Sequence, residues 1–373
     1  MKEKNLFVSI APYFFDESGH YEAYHTELHR AMRQFKYTPI TYIPYRNVLQ
    51  QLSPPQWVRF FSHSNQRYLR IFLRLFDYIR LIRTISSVNV SRRILFLESY
   101  SLLDLVTLAL SFAICMNKPV ELWHVYRDGL EHHPFKRQIH ILISRFFTWK
   151  LKKSYLTFTD SEIIVRTLSP SLKSQLHVLP IPHTSGISKQ PQSPLIFNSS
   201  TRRIRLWLPG QFRWDKGTKE IIKFCTSTDP NLKKFEFWVE KNIEISSISS
   251  EIVFKWTEKP LSREKYIQTL YHIDALLLPY RSDVYSSRTS GPFVEAVCAG
   301  KFVFTQKGNW LAYELEKFGL SQCVLDWNLA ILPTKILLVI NNADIQKQWR
   351  HFQKTYCSIH HPKNFANTLN KHL

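Results

Sequence analysis

The chain has 373 residues, 44% of them hydrophobic and 14% aromatic, enough for two domains of ordinary size with packed cores. Its formal charge of +21, from 50 basic against 29 acidic residues, points to an anionic partner: a phosphorylated ligand, an acidic membrane face or nucleic acid. Five scattered cysteines with no CxxC argue against a disulfide framework or zinc site and favour a reducing cytoplasm; no signal peptide is read at the N-terminus, and the longest apolar stretch, Leu102 to Met116, carries Asp104 and is too short to span a bilayer.

Leu6 to Ile10 reads as a strand. A helix from His20 to about Phe35 follows, with Tyr21, Tyr24, Leu28, Ala31 and Phe35 spaced three to four apart. Gly19, one of only nine glycines, sits at the junction, a usual place for a ligand-facing turn. Pro39 to Ile43 is a second strand. Trp57 to Ile85 reads as one helix, carrying Arg59, Arg67, Arg70, Arg74, Arg80 and Arg83 against Asp77. It has two readings: a helix lying on an anionic membrane, or a domain-packing helix with a solvated basic face. A second basic segment from Phe135 holds Lys136, Arg137, Arg145, Lys150, Lys152 and Lys153 with no acid. No signature of a nucleic-acid-binding module appears. Arg93 to Glu98 is a strand, Leu102 to Met116 its crossover helix and Val120 to Val125 the next strand. His124 therefore falls near the C-terminal end of a parallel strand, where open α/β sheets bind ligands, although a lone histidine also serves structure. Tyr155 to Thr159 and Leu176 to Ile181 complete the first sheet.

The Pro/Ser-rich run after Pro182 reads as a linker over residues 183–202, between an N-terminal domain over 1–182 and a C-terminal domain over 203–373. The last helix is free to pack back on the N-terminal domain. Arg203 to Leu208 opens the second domain. The loop PGQFRWDKG then puts Arg213 and Lys216 between Gly210 and Gly217, ahead of a helix from Thr218. Such cations can meet a phosphate or simply be solvated. Phe235 to Val239 and Ile252 to Lys255 are strands, and Leu261 to Tyr271 a helix. Ile273 to Leu278, a polar loop from Tyr280 to Ser290, a helix opened by Gly291-Pro292, and Lys301 to Thr305 form a βαβ unit. Ser290 and Gly291 offer amides at a helix start, an anion seat, and Glu295 one turn on can accept hydrogen bonds from hydroxyls. The plain alternative is an ordinary βαβ unit with a surface glutamate. A short strand from Cys323 to Leu325 and a helical tail from about Pro333, with segments from Ala343 and Pro362, end the chain.

PGQFRWDKG resembles the first loop of the C-terminal domain in GT-B glycosyltransferases of the GT4-like type. DALLLPYRSDVYSSRTSGPFVEAVCAGKFVF resembles their nucleotide-sugar loop and helix, and LPIPH, FTDSE and the Gly19 loop also fit. The resemblance covers the chain and is more specific in its C-terminal half. It implies an α/β fold of two Rossmann-like domains facing a cleft, and retaining transfer from a nucleotide-diphosphate sugar with no cofactor and no metal. It implies that Lys216 and Arg213 hold the diphosphate, that Ser290 and Gly291 present amides to it and that Glu295 binds the ribose. It also implies that Gly19 faces the diphosphate and His124 contacts the donor sugar. Two positions depart from the pattern: Gln211 stands where the family has arginine, and Ser287 where it has the first glutamate of Glu-x7-Glu. Expected partners are the donor, a glycan or lipid-linked acceptor and an anionic membrane surface, but not nucleic acid. The competing class is a silent protein of this fold that binds membrane or nucleic acid through its basic helices.

Overall fold

The computed structural model describes residues 5–14, 21–46, 57–64, 66–115, 119–130, 133–172, 175–184, 186–187, 202–210, 212–240, 252–258 and 261–373. The chain divides into two compact units, Met1–Pro180 with Phe365–Leu373, and Ile181–Asn364.

The first unit is built on seven parallel strands: β1 (Asn5–Ile10), β2 (Tyr37–Pro44), β3 (Trp57–Phe61), β4 (Arg93–Leu97), β5 (Glu121–Tyr126), β6 (Tyr155–Thr159) and β7 (Leu176–Val178), in the order β3-β2-β1-β4-β5-β6-β7. Helices α1 (Tyr21–Gln34), α2 (Arg67–Ser87), α3 (Leu102–Ile114), α4 (Pro134–Leu151) and α5 (Glu162–Leu172) connect them. The strands are apolar almost throughout because both faces are covered. Alternate residues feed two cores. Leu6, Val8, Leu95 and Leu122 pack under α2, α3 and α4. Phe7, Phe96 and Trp123 pack under α1 and the end of the last helix, α13 (Pro362–Asn370). The C-terminus is held there: Phe365 meets the Tyr24 ring edge-on at 5.8 Å, and Arg92 bonds the Leu373 carbonyl while pairing with Glu121 at 2.7 Å.

The stretch expected as one helix from Trp57 is in fact a strand followed by a helix. Thr41 registers with Trp57 and Tyr42 with Val58, and the buried rings of Phe60 and Phe61 pack against Tyr42 and Tyr78. The helix starts beyond Ser62, whose N–H donates to Asp77 at 2.8 Å. Burial of the two phenylalanines, not periodicity, decides the boundary.

The second unit has six parallel strands: β8 (Ile204–Trp207), β9 (Phe235–Glu240), β10 (Val253–Thr257), β11 (Ala275–Leu278), β12 (Phe302–Gln306) and β13 (Val324–Leu325). Their order is β10-β9-β8-β11-β12-β13. Its helices are α6 (Thr218–Cys225), α7 (Arg263–His272), α8 (Ser282–Tyr285), α9 (Gly291–Cys298), α10 (Trp310–Lys317), α11 (Leu332–Asn341) and α12 (Ala343–Ile359). The α8 turn lies within the stretch read as a polar loop. Residues 181–184 are anchored in this unit: the Ile181 N–H donates to His360 Nδ1 at 3.0 Å, and Thr184 Oγ1 to the His360 carbonyl at 2.8 Å.

Candidate functional site

Strand order changes direction between β8 and β11, which pair in parallel with Ala275 opposite Leu206 and Leu276 opposite Trp207. The C-terminal ends of two such strands are the usual ligand position in an open α/β sheet. The Arg213–Lys216 loop leaves β8, and the loop leading to Ser290 leaves β11. Sequence distance of some 70 residues is thus erased by strand adjacency. The first loop is a 3-10 turn, Trp214–Lys216, closed by Gly217 at φ 81°. A Cβ on Gly217 would stand 2.1 Å from the Pro279 carbonyl oxygen, so only glycine lets the two loops touch. The Arg281 N–H donates to the Asp215 carbonyl at 3.0 Å, and the Arg281 guanidinium lies 4.8 Å over the exposed Trp214 ring.

Cations gather where the loops meet. Lys216 Nζ lies 5.9 Å from the centre of the Tyr280 ring. It is close enough to Gly210 that a Cβ there would stand 3.1 Å from it. Arg213 donates to Asp215 at 2.7 Å and reaches the Tyr285 hydroxyl at 3.5 Å. Arg288 lies 5.4 Å over the Tyr285 ring. The Tyr280 and Tyr285 rings pack at a tilt, their centres 4.4 Å apart. Burial, and then the neighbouring Arg213, bring the Lys216 ammonium down to about 8; Asp215 and Glu240 oppose this, and Arg288 adds to it. Burial, and then Tyr285, raise the Tyr280 hydroxyl far above its usual range against a hydrogen bond with Ser290. An ammonium that neighbouring cations disfavour is one that an arriving anion would restore.

Ser290 and Gly291 sit beside this cluster through Tyr280. Ser290 is the N-cap of α9, and its Oγ accepts the Phe293 N–H at 3.3 Å. The Val294 N–H bonds the Ser290 carbonyl and Pro292 has no N–H. Gly291 therefore carries the first-turn amide that has no partner among the described residues. The expected array of free amides is reduced to one, because the cap that starts the helix also consumes a donor.

Glu295 is fully buried and not exposed at the seat. Its carboxylate is paired with Arg263, whose other nitrogen donates to the His183 carbonyl at 2.8 Å. Arg263, at the start of α7, had no sequence signal, and His183 entered only as the last residue of LPIPH, with no role attached. Ser287, in place of the family's glutamate, is also buried. Arg288 was missed as well, although it lies in the quoted loop.

Gly19 falls outside the described residues. His124, in the first unit, does end a parallel strand, but its imidazole is fully buried among Tyr100, Tyr126 and Tyr155. Its Nδ1 bonds the Tyr155 hydroxyl at 3.1 Å, and its Nε2 has no partner among the described residues. Burial, and then His140, push its pKa well below the usual histidine range, so it stands neutral in a packed aromatic pocket. Among the described residues no three His, Cys, Asp or Glu side chains form a metal-holding group, and no helix is long and apolar enough to cross a membrane.

The architecture can be set beside solved proteins. A sucrose-phosphate synthase from Thermosynechococcus elongatus superposes with TM-score 0.65 at 11% identity, covering 99% of this chain and 98% of that one. A glycosyltransferase from Rickettsia africae gives 0.67 at 11% identity over 99% and 97%. Anabaena HepE, solved in complex with UDP, gives 0.66 at 11% over 99% and 98%. The fold is that of the GT-B glycosyltransferases. No protein-family model and no curated protein sequence matches the chain. At such low identity the GT-B likeness concerns fold, and function must be argued from the site.

Proposed function

We propose that the chain is a glycosyltransferase that takes its sugar from a nucleotide-diphosphate donor. The observation that carries this reading is the convergence of Lys216, Arg213 and Arg288 on Tyr280 and Tyr285, beside the α9 N-cap. The fold supports it, since Anabaena HepE was solved with UDP. The cluster gathers three cations, Lys216, Arg213 and Arg288, which outnumber the two nearby carboxylates of Asp215 and Glu240 and so suit an anion. When the bond from the anomeric carbon to the diphosphate oxygen breaks, its electron pair leaves with that oxygen, an acceptor hydroxyl oxygen bonds the anomeric carbon, and the hydroxyl's proton passes to the departing diphosphate. Lys216 and Arg213, already in place, neutralise the departing charge without reorganising. No side chain need attack, which agrees with retaining transfer without a covalent sugar–enzyme intermediate and without metal. The Gly291 amide would support one phosphate oxygen. Glu295 would reach a ribose only if Arg263 releases it, so its first role here is to brace α9 against α7. Gly19 remains a proposed contact to the diphosphate, and His124 a proposed contact to the donor sugar that would require its pocket to open.

The acceptor proposed is a glycan or lipid-linked sugar of polysaccharide or lipopolysaccharide synthesis, with the protein cytoplasmic at the inner face of a membrane. A panel of nucleotide sugars tests the core of the proposal by thermal shift and donor hydrolysis. The expected result is stabilisation by one donor class, lost in Lys216→Ala and Arg213→Ala. Stabilisation by none, or retained by both variants, overturns it and favours a silent protein of this fold.

A further inference from the structure

On one face of the first sheet α3 packs between α2 and α4. The outward residues of all three helices are apolar to an unusual degree. On α2, Tyr68, Phe72 and Phe76 are 79%, 60% and 66% exposed, and Leu69 joins them. On α4, Phe135, Leu142 and Trp149 are 78%, 61% and 72% exposed at helical spacing. The middle helix shows only Leu110, Ala113 and Ile114, with no charge. Exposed basic side chains share these helices: Arg83, at i+7 from Phe76, and Arg145, between Leu142 and Trp149, lie on the apolar faces themselves, with Arg70 on α2 and Lys152 and Lys153 just beyond α4. The helices contain just two carboxylates, Asp77 and Asp104, and both are buried.

Singly exposed apolar residues need no explanation, but a contiguous strip across three helices does. Exposed aromatic and aliphatic side chains interspersed with arginines, with both acids of these helices withdrawn, are complementary to lipid headgroups over acyl chains. Nucleic acid would call for cations across the middle, where α3 has none. We infer that the outer face of α2, α3 and α4 docks on an anionic lipid bilayer, its aromatic rings in the headgroup boundary and its arginines at the phosphates. This rests on the proposed function only for its purpose, bringing the chain to a lipid-linked acceptor. The lipid contact itself needs no donor and no turnover.

Co-sedimentation of the full chain with phosphatidylcholine vesicles, with and without about one-third phosphatidylglycerol, tests the inference, each basic residue contributing about fivefold to partitioning. The wild-type chain should bind the mixed vesicles, weakly bind pure phosphatidylcholine, and lose affinity as salt rises. Combined Arg70→Gln, Arg83→Gln and Arg145→Gln should cost about a hundredfold on mixed vesicles. Combined Phe72→Ser, Phe76→Ser and Trp149→Ser should cost at least about tenfold at every salt concentration, with the melting temperature kept. Absence of binding to the mixed vesicles, equal binding to pure phosphatidylcholine, or undiminished binding by either variant overturns the inference. Donor transfer measured on soluble acceptor is untouched by any of these results, so the two readings fail separately.

Discussion

Replacing Lys216 by methionine should make the ligand-free protein more stable at neutral pH while removing its response to nucleoside diphosphates. In the folded site burial and Arg213 bring the ammonium from 10.5 to about 8. Between those two values the unfolded chain binds more protons than the folded one, so stability rises with pH across that window. The cost of keeping the lysine charged is therefore fully present below about 8 and relieved toward 10.5. The gap corresponds to roughly 3 kcal/mol, which partial exposure of the side chain reduces to about 1–2 kcal/mol. For a unit of this size that is a rise in Tm of about 3–6 °C at pH 7. Methionine keeps the stem and removes the charge, so packing changes little. The assay is thermal melting of both proteins at pH 7 and pH 10, with and without saturating nucleoside diphosphates. The gain should fade toward pH 10, and ligand-induced stabilisation should be present only in the lysine protein. A lower Tm for Lys216→Met at pH 7, or equal ligand shifts in both proteins, would refute the claim that this ammonium is held under strain for an anion.

Arg213→Ala and Arg288→Ala should each lower kcat for sugar transfer by about 10- to 100-fold, since each removes a fixed charge from the leaving diphosphate; full rates in both, measured by donor turnover, would place the diphosphate elsewhere. Gly217→Ala would put a methyl 2.1 Å from the Pro279 carbonyl oxygen at φ 81°, and should cost at least about 3 kcal/mol in urea melts; a loss below about 1 kcal/mol would show that the two loops can separate. For His124→Gln, burial among tyrosines implies a loss of about 1–3 kcal/mol in stability. Its kcat, corrected for folded fraction, should stay within about threefold if packing is the whole role, whereas a larger loss of kcat at unchanged Tm would assign it to the reaction.

Much of this architecture is legible in the chain order of residues. Alternation of strand and helix, the glycines at strand ends and the Ser290-Gly291-Pro292 helix start are local features, governed by backbone sterics within a few residues, and they mark the Lys216 and Ser290 loops before any fold is known. Local patterning failed at Trp57, where a buried aromatic strand carries the same residue types as the basic helix that follows.

What local chemistry could not decide is pairing. Strand order puts β8 beside β11, and this alone sets Lys216 and Arg213 against Tyr280, Tyr285 and Arg288. The same distant packing made Glu295, expected as a contact for the ribose hydroxyls, the buried partner of Arg263, 32 residues upstream. It also closed three tyrosine rings around His124. Backbone preferences act over a few residues and so can be read along the chain. Burial and charge pairing act through space, and their outcome exists only once remote segments have met.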